Sequence, residues 1–332
     1  MQFGIALSPD YIPREMALQA AQHVETLGYD SIWVPEIWGR DAFTFLTQLA
    51  EKTTRVRIGS GIVNMFSRSP ATLATTSASI DEISNGRFVL GLGLSGPIVI
   101  QDWHGAKWSK PLQRTREYFE IIRLILSGER VNYNGEIFQL KNFRLPGHFK
   151  PVRANLPLFL AALGPKNIAL AGEIADGLFP IWMPGSKSKE IIANVQNAAA
   201  AAGRPKVEVA QFILTAVSEQ NPEHAKMLMR QHMAYYTCAM GDFYYNLLCR
   251  LGYAEEVDQI RLAWDVDYTE MAAAKVSDRL LDELAVVGTP HDCIQKMFYT
   301  YEPAGVDTAI IMMPYGTPPE MAIETMNTFA KK

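Results

Sequence analysis

Cysteine is scarce. The 332 residues contain three, Cys238, Cys249 and Cys293, with no C-x-x-C spacing. That excludes a disulfide framework and a zinc ribbon, and fits a reducing compartment. Positive charge is not in excess either: 31 Lys and Arg stand against 35 Asp and Glu, a net charge of −4. Nothing therefore points to a nucleic-acid or membrane-surface partner. No run approaches the roughly 18 uninterrupted apolar residues of a membrane span. The opening "MQFGIALSPD" has neither a basic segment nor a long apolar one, so it reads as a first strand rather than a signal peptide, and a cytoplasmic location is expected. H-E-x-x-H, G-x-S-x-G and Walker motifs are absent, no metal site is expected, and no Pro/Gly/Ser-rich linker divides the chain.

What is present is a rhythm. Apolar residues make up 48% of the chain and charged residues 20%, enough for a sizeable core. "FGIAL", "SIWVP", "VRIGSGIV" and "FVLGLG" read as strands, each followed by a helix. Pro13 suits the first turn of the first helix and Gly28 its end; Asp41 suits the cap of the second; Pro70 opens the third and Asn85–Gly86 closes it. A longer connection then leads to the amphipathic helix "LQRTREYFEIIRLILSG" and a hairpin, "VNYNGEIFQL", with Asn134–Gly135 as its turn. The alternation resumes with "LPLFLAAL", "GLFPIW" and "VEVAQFILTAV". A mostly helical stretch rich in Met and Tyr covers about 222–284, and "DTAIIMMP" is the last strand. Eight strand–helix units in one chain predict a (β/α)8 TIM barrel, with insertions after strand 4 and before strand 8. The insertion "HMAYYTCAMGDFYYNLL" reads either as a helical lid or as plain core packing.

One motif argues for a different fold. Gly91, Gly93 and Gly96 spell G-x-G-x-x-G directly after a strand. A dinucleotide-binding turn, however, belongs in the first βαβ unit, opens into a helix, and meets an acidic residue about 20 positions later. Here three units precede it, the β-branched Ile98-Val99-Ile100 suits a helix start poorly, and the later window lies inside a helix. In a barrel the glycines have two readings: they admit a flat ligand at the mouth of strand 4, or they relieve crowding inside the barrel.

"GSGIVNMFSRSPATLATTSASIDEISNGRFVLGLG" resembles the luciferase-like flavin and deazaflavin oxidoreductases, nearest their deazaflavin branch, which includes methylenetetrahydromethanopterin reductase. "LGYDSIWVPEIWGRDAF", "PLFLAALGPKNIALAGEIADG" and "LLDELAVVGTP" resemble family segments in the same order. The resemblance covers nearly the whole chain, so residues 1–332 read as one domain. It implies coenzyme F420 as cofactor, with FMN as the alternative, and hydride transfer to or from a small organic molecule. It further implies a homodimer. Cofactor contacts are implied at Ser60, Gly61 and Ile62, at Gly93, Leu94, Ser95 and Gly96, and at Ala161, Ala162, Leu163, Gly164 and Lys166. Gly61–Ile62 is implied to be a cis peptide, an ordinary bulge being the bland alternative. Lys166 at a helix start is either an anion contact or a solvated lysine.

Two residues are catalytic candidates. Glu36 ends strand 2, where a carboxylate can move a proton or bind a polar substrate. His104 is either a proton donor or a loop histidine packed on Trp103. Glu173 and Asp176 are read as bracing the chain rather than as chemistry. The sequence also departs from the family: the sugar-phosphate dehydrogenases carry a His where Ile37 stands, and they and the methanopterin reductases carry an acid in the loop that here holds Pro97. The resemblance thus supports a cofactor class and withholds the substrate.

Overall fold

The computed structural model describes residues 1–267 and 270–331. Eight parallel strands form the barrel: β1 (Gln2–Ala6), β2 (Ser31–Val34), β3 (Arg57–Ser60), β4 (Phe88–Gly93), β5 (Leu158–Ala161), β6 (Gly177–Phe179), β7 (Glu208–Val217) and β8 (Thr308–Met312). Each pairs with the next. Glu208 stands opposite Gly177, and the Gln2 N–H donates to the Asp307 carbonyl (2.8 Å), so the order returns to β1 and the sheet closes. All eight strands are those expected from the sequence. β2 and β4 are buried at every position, the pattern of parallel strands covered on both faces.

Two compact units contain these elements. One holds Gly4–Phe179 and Ala193–Val209; the other holds Met1–Phe3, Pro180–Ile192 and the chain from Ala210 onward. The core of the first is aromatic. Trp33, Phe159 and Phe179 meet with ring centroids 4.8–5.8 Å apart, and Arg57 lies over the Trp33 and Phe159 rings while pairing with Glu208 at 2.9 Å. The second unit carries helices Pro222–Cys238, Asp242–Leu248, Ala254–Asp267, Glu270–Ala274 and Asp278–Leu284. No helix among the described residues is long and apolar enough to cross a membrane.

The helix punctuation follows local chemistry. Asp41 accepts the Thr44 N–H at 2.7 Å, and Ser69, immediately before Pro70, accepts that of Thr72 at 3.1 Å. Asn85 and Gly86 adopt positive φ after the third helix. Pro13 lies one residue outside the first helix, which begins at Arg14.

Three features differ from the sequence reading. Ile98–Trp103 forms one wide helical turn, with the His104 N–H reaching the Val99 carbonyl five residues back (3.1 Å). Burial of Val99 and Ile100 overrides their poor helix propensity. The hairpin of Val131–Asn134 and Gln139–Phe143 has a four-residue loop, 135–138, instead of a two-residue turn. Its shape is imposed from outside: the buried Glu117 carboxylate accepts the N–H groups of Glu136, Ile137 and Phe138 at 2.8–3.2 Å. Burial pushes this carboxyl up, but Gln113 and those backbone donors outweigh it and hold Glu117 below the ordinary range. Finally, Ala285–Gly288 is an extra parallel strand on the far half of β7, paired from Leu214↔Ala285 to Val217↔Gly288.

Candidate active site

The segments following β2, β3 and β4 are tied to one another at the C-terminal ends of the strands, the face where barrel enzymes carry their sites. The Gly61 N–H donates to the Val34 carbonyl (2.9 Å), the Glu36 N–H to the Ile62 carbonyl (3.1 Å), and the Met65 N–H to the Gly93 carbonyl (3.0 Å). The Ser60 hydroxyl bridges to β4 twice, donating to the Gly91 carbonyl (2.8 Å) and accepting the Gly91 N–H (2.9 Å). Gly61–Ile62 is a cis peptide, as the resemblance implied.

The three glycines separate into two roles. A Cβ on Gly91 would lie 2.0 Å from the Ser60 carbonyl oxygen and 2.6 Å from the Phe179 ring; one on Gly93 would lie 2.8 Å from Ile62 Cδ1 and 3.5 Å from Ala161 Cβ. These two therefore relieve crowding within the chain. A Cβ on Gly96 would meet nothing within 4 Å among the described residues, and the same holds for Gly164. Gly61, Ile62 and Ala161 are half-buried and gather around the buried Gly93, with the buried Ser60 beneath them. Leu94, Ser95 and Gly96 are half-buried, with Ser95 at φ 60°, while Ala162 is buried and Leu163 half-buried. Gly164 precedes helix Pro165–Ile174; among the described residues no side chain caps its start, and the buried Asn167 Oδ1 there has no partner.

Lys166 is exposed and lines a shallow cleft of about 400 Å³ between helices Pro111–Leu126 and Pro165–Ile174, together with Gln113, Arg116 and Glu173. Glu173 pairs with Arg116. Asp176 accepts from Arg123 (3.0 Å), Arg204 (3.3 Å) and the Leu158 N–H (2.9 Å). Both acids brace the chain.

Glu36 is held rather than free. Arg68 donates to both of its oxygens (2.7 and 2.8 Å), and the Ala42 N–H donates at 3.0 Å. The same guanidinium reaches Asp41 and lies 5.0 Å from the Phe43 ring centroid. Hydrogen bonding to Glu36 raises the Arg68 pKa. Burial pushes the Asp41 carboxyl up, but bonds from Thr44 and Arg68 prevail and leave it lowered. Sequence reading missed Arg68, because nothing local marks a partner 32 residues away. The side chains are only 10% (Glu36) and 19% (Arg68) exposed. Arg68→Met is therefore expected to lower stability by about 2–3 kcal/mol, since it strands a largely buried carboxylate. Adding Glu36→Gln should recover part of the loss in urea unfolding; an unchanged midpoint for the single variant would show that the pair contributes nothing.

His104 is exposed at the end of the wide turn, and among the described residues no hydrogen bond joins it to Glu36. Its neighbour Trp103 meets Trp38 edge to face at 5.0 Å. In the second unit the sequence reading missed a buried imidazole. His232, on helix Pro222–Cys238, packs against Trp182, which follows β6, and against Tyr236. Burial alone lowers its pKa to about 4. The one available signal was spacing: Met229, His232, Met233 and Tyr236 share a helical face.

The strand order defines a barrel of the (β/α)8 class. The luciferase-like monooxygenase family model matches residues 1–308, and the chain belongs to that family. A 5,10-methylenetetrahydromethanopterin reductase of Archaeoglobus fulgidus is 32% identical over 98% of this chain and 97% of its own. Among solved structures, the coenzyme F420-dependent tetrahydromethanopterin reductase of Methanopyrus kandleri superposes with a TM-score of 0.86 at 22% identity, covering 99% of this chain and 97% of that one. The oxygenating constituent of 3,6-diketocamphane monooxygenase of Pseudomonas putida, in complex with FMN, superposes with a TM-score of 0.75 at 17% identity, covering 100% and 97%.

Proposed function

We propose that this oxidoreductase uses coenzyme F420 and transfers a hydride between the deazaflavin C5 and a small organic substrate. The observation that carries this reading is the half-buried group of Gly61, Ile62 and Ala161, packed over the buried Gly93 and flanked by Gly96 and Gly164, which face open space. That arrangement fits a flat ring, and the helix start at Pro165, uncapped among the described residues, fits an anionic tail. The likeness to methanopterin reductases along the whole chain favours the deazaflavin over FMN. When bound, the deazaflavin supplies a hydride-carrying carbon that does not activate oxygen.

The chain's own residues bind, orient and exclude water. Ser60 fixes β3 against β4 through Gly91; Gly61, Ile62, Gly93 and Ala161 would hold the ring, Leu94, Ser95 and Gly96 would edge it, and Ala162, Leu163, Gly164 and Lys166 would hold the anionic tail. Glu36 orients Arg68 at the mouth, and His104 is an exposed group that would carry a proton. Titration of the purified protein with F420 and with FMN tests this. F420 should bind at least about 100-fold more tightly, a difference near 2.7 kcal/mol. Tight FMN binding without F420 binding would overturn the reading in favour of a luciferase-type monooxygenase.

A further inference from the structure

His232 and Trp182 present two buried N–H donors that nothing among the described residues accepts. The Tyr315 N–H donates to His232 Nδ1 through a long bond of 3.4 Å, so Nδ1 is the acceptor nitrogen and the proton of the neutral ring lies on Nε2. Burial lowers the pKa of this ring to about 4, which keeps it neutral at physiological pH. Nε2 has no partner among the described residues, and neither does Trp182 Nε1. The two residues are 6% and 1% exposed, and their rings lie nearly parallel (20°) with centroids 6.4 Å apart. Trp182 follows β6 and Tyr315 follows β8, so the donors lie at the C-terminal ends of strands, where barrel sites form. Tyr236 and Tyr244 pack on Trp182 at 5.9 and 5.0 Å and add aromatic surface.

We propose that the His232 Nε2–H and the Trp182 Nε1–H form a recognition site for a carbonyl oxygen on an uncharged, planar substrate. A carbonyl oxygen has two lone pairs and can satisfy both donors. A carboxylate or phosphate would keep its full charge among neutral buried rings, which is costly. Aromatic neighbours favour a flat occupant. The proposal rests on the oxidoreductase reading only in naming the occupant a substrate; the site itself stands on the two orphaned donors.

Acetophenone and α-methylstyrene share one shape and differ in C=O against C=CH2, so they serve as probes, with benzoate as the charged control. Ligand-observed NMR should show acetophenone binding about 10-fold more tightly than α-methylstyrene, because a site built to donate rejects the analogue that cannot accept. His232→Phe and Trp182→Phe should each shrink that ratio to about 2–3-fold, the share of one neutral hydrogen bond, and leave F420 titrations unchanged. In the wild-type protein, which needs no variant to fold, the imidazole Nε2–H and indole Nε1–H resonances should shift with acetophenone and not with α-methylstyrene. Equal binding of the two probes, equal loss of both in the variants, or preference for benzoate would overturn the proposal. Failure of F420 binding with the ketone preference intact would instead remove the cofactor reading and leave this site standing.

Discussion

Gly91→Ala should lower stability by at least about 4 kcal/mol or prevent folding, the range reserved for severe overpacking in a core. The added Cβ would lie 2.0 Å from the Ser60 carbonyl oxygen, a backbone atom that cannot rotate away. The strands cannot part to admit it either, because the Ser60 hydroxyl holds both the N–H and the carbonyl of Gly91. On the far side the Phe179 ring, 2.6 Å from the new atom, is fixed between Trp33 and Phe159. Gly96→Ala is the contrast. It meets nothing within 4 Å among the described residues, so urea unfolding should place it within about 1 kcal/mol of wild type. Any effect of that variant should instead appear in cofactor affinity. Wild-type unfolding of the Gly91 variant would show that the close approach does not govern this position.

His232 should make the protein acid-sensitive well above the pH at which carboxylates titrate. The folded pKa is lowered from 6.5 to about 4, so between those values the unfolded chain binds the proton and the folded chain does not. The contribution is complete above about pH 6.5 and is lost as pH falls toward 4, reaching about 3 kcal/mol at 1.36 kcal/mol per unit. Urea midpoints for the wild type and His232→Gln, compared from pH 7.5 to pH 4.5, isolate this contribution. The wild type should lose the additional stability and the variant should not. Parallel profiles would mean that the imidazole is protonated in the folded protein.

Much of the fold was legible because its signals are local. Strand positions follow from short apolar runs, and helix ends from Asp41, Pro70 and Asn85–Gly86, whose caps depend on neighbours within a few residues. Reading failed where a distant group imposed the geometry. Asn134–Gly135 has turn chemistry, yet Glu117 from the preceding helix sets a four-residue loop. Ile98–Val99–Ile100 has strand chemistry, yet burial winds it into a wide turn.

The candidate site divides along the same line. Sequence alone determined the barrel and the family resemblance, since each is written in patterns a few residues long. Only the tertiary structure decided that Gly91 and Gly93 serve packing while Gly96 faces open space, that Glu36 is bound by Arg68, and that His232 and Trp182 hold donors unanswered among the described residues. Those facts depend on which atoms arrive from elsewhere in the chain, and no spacing within one strand or helix encodes them.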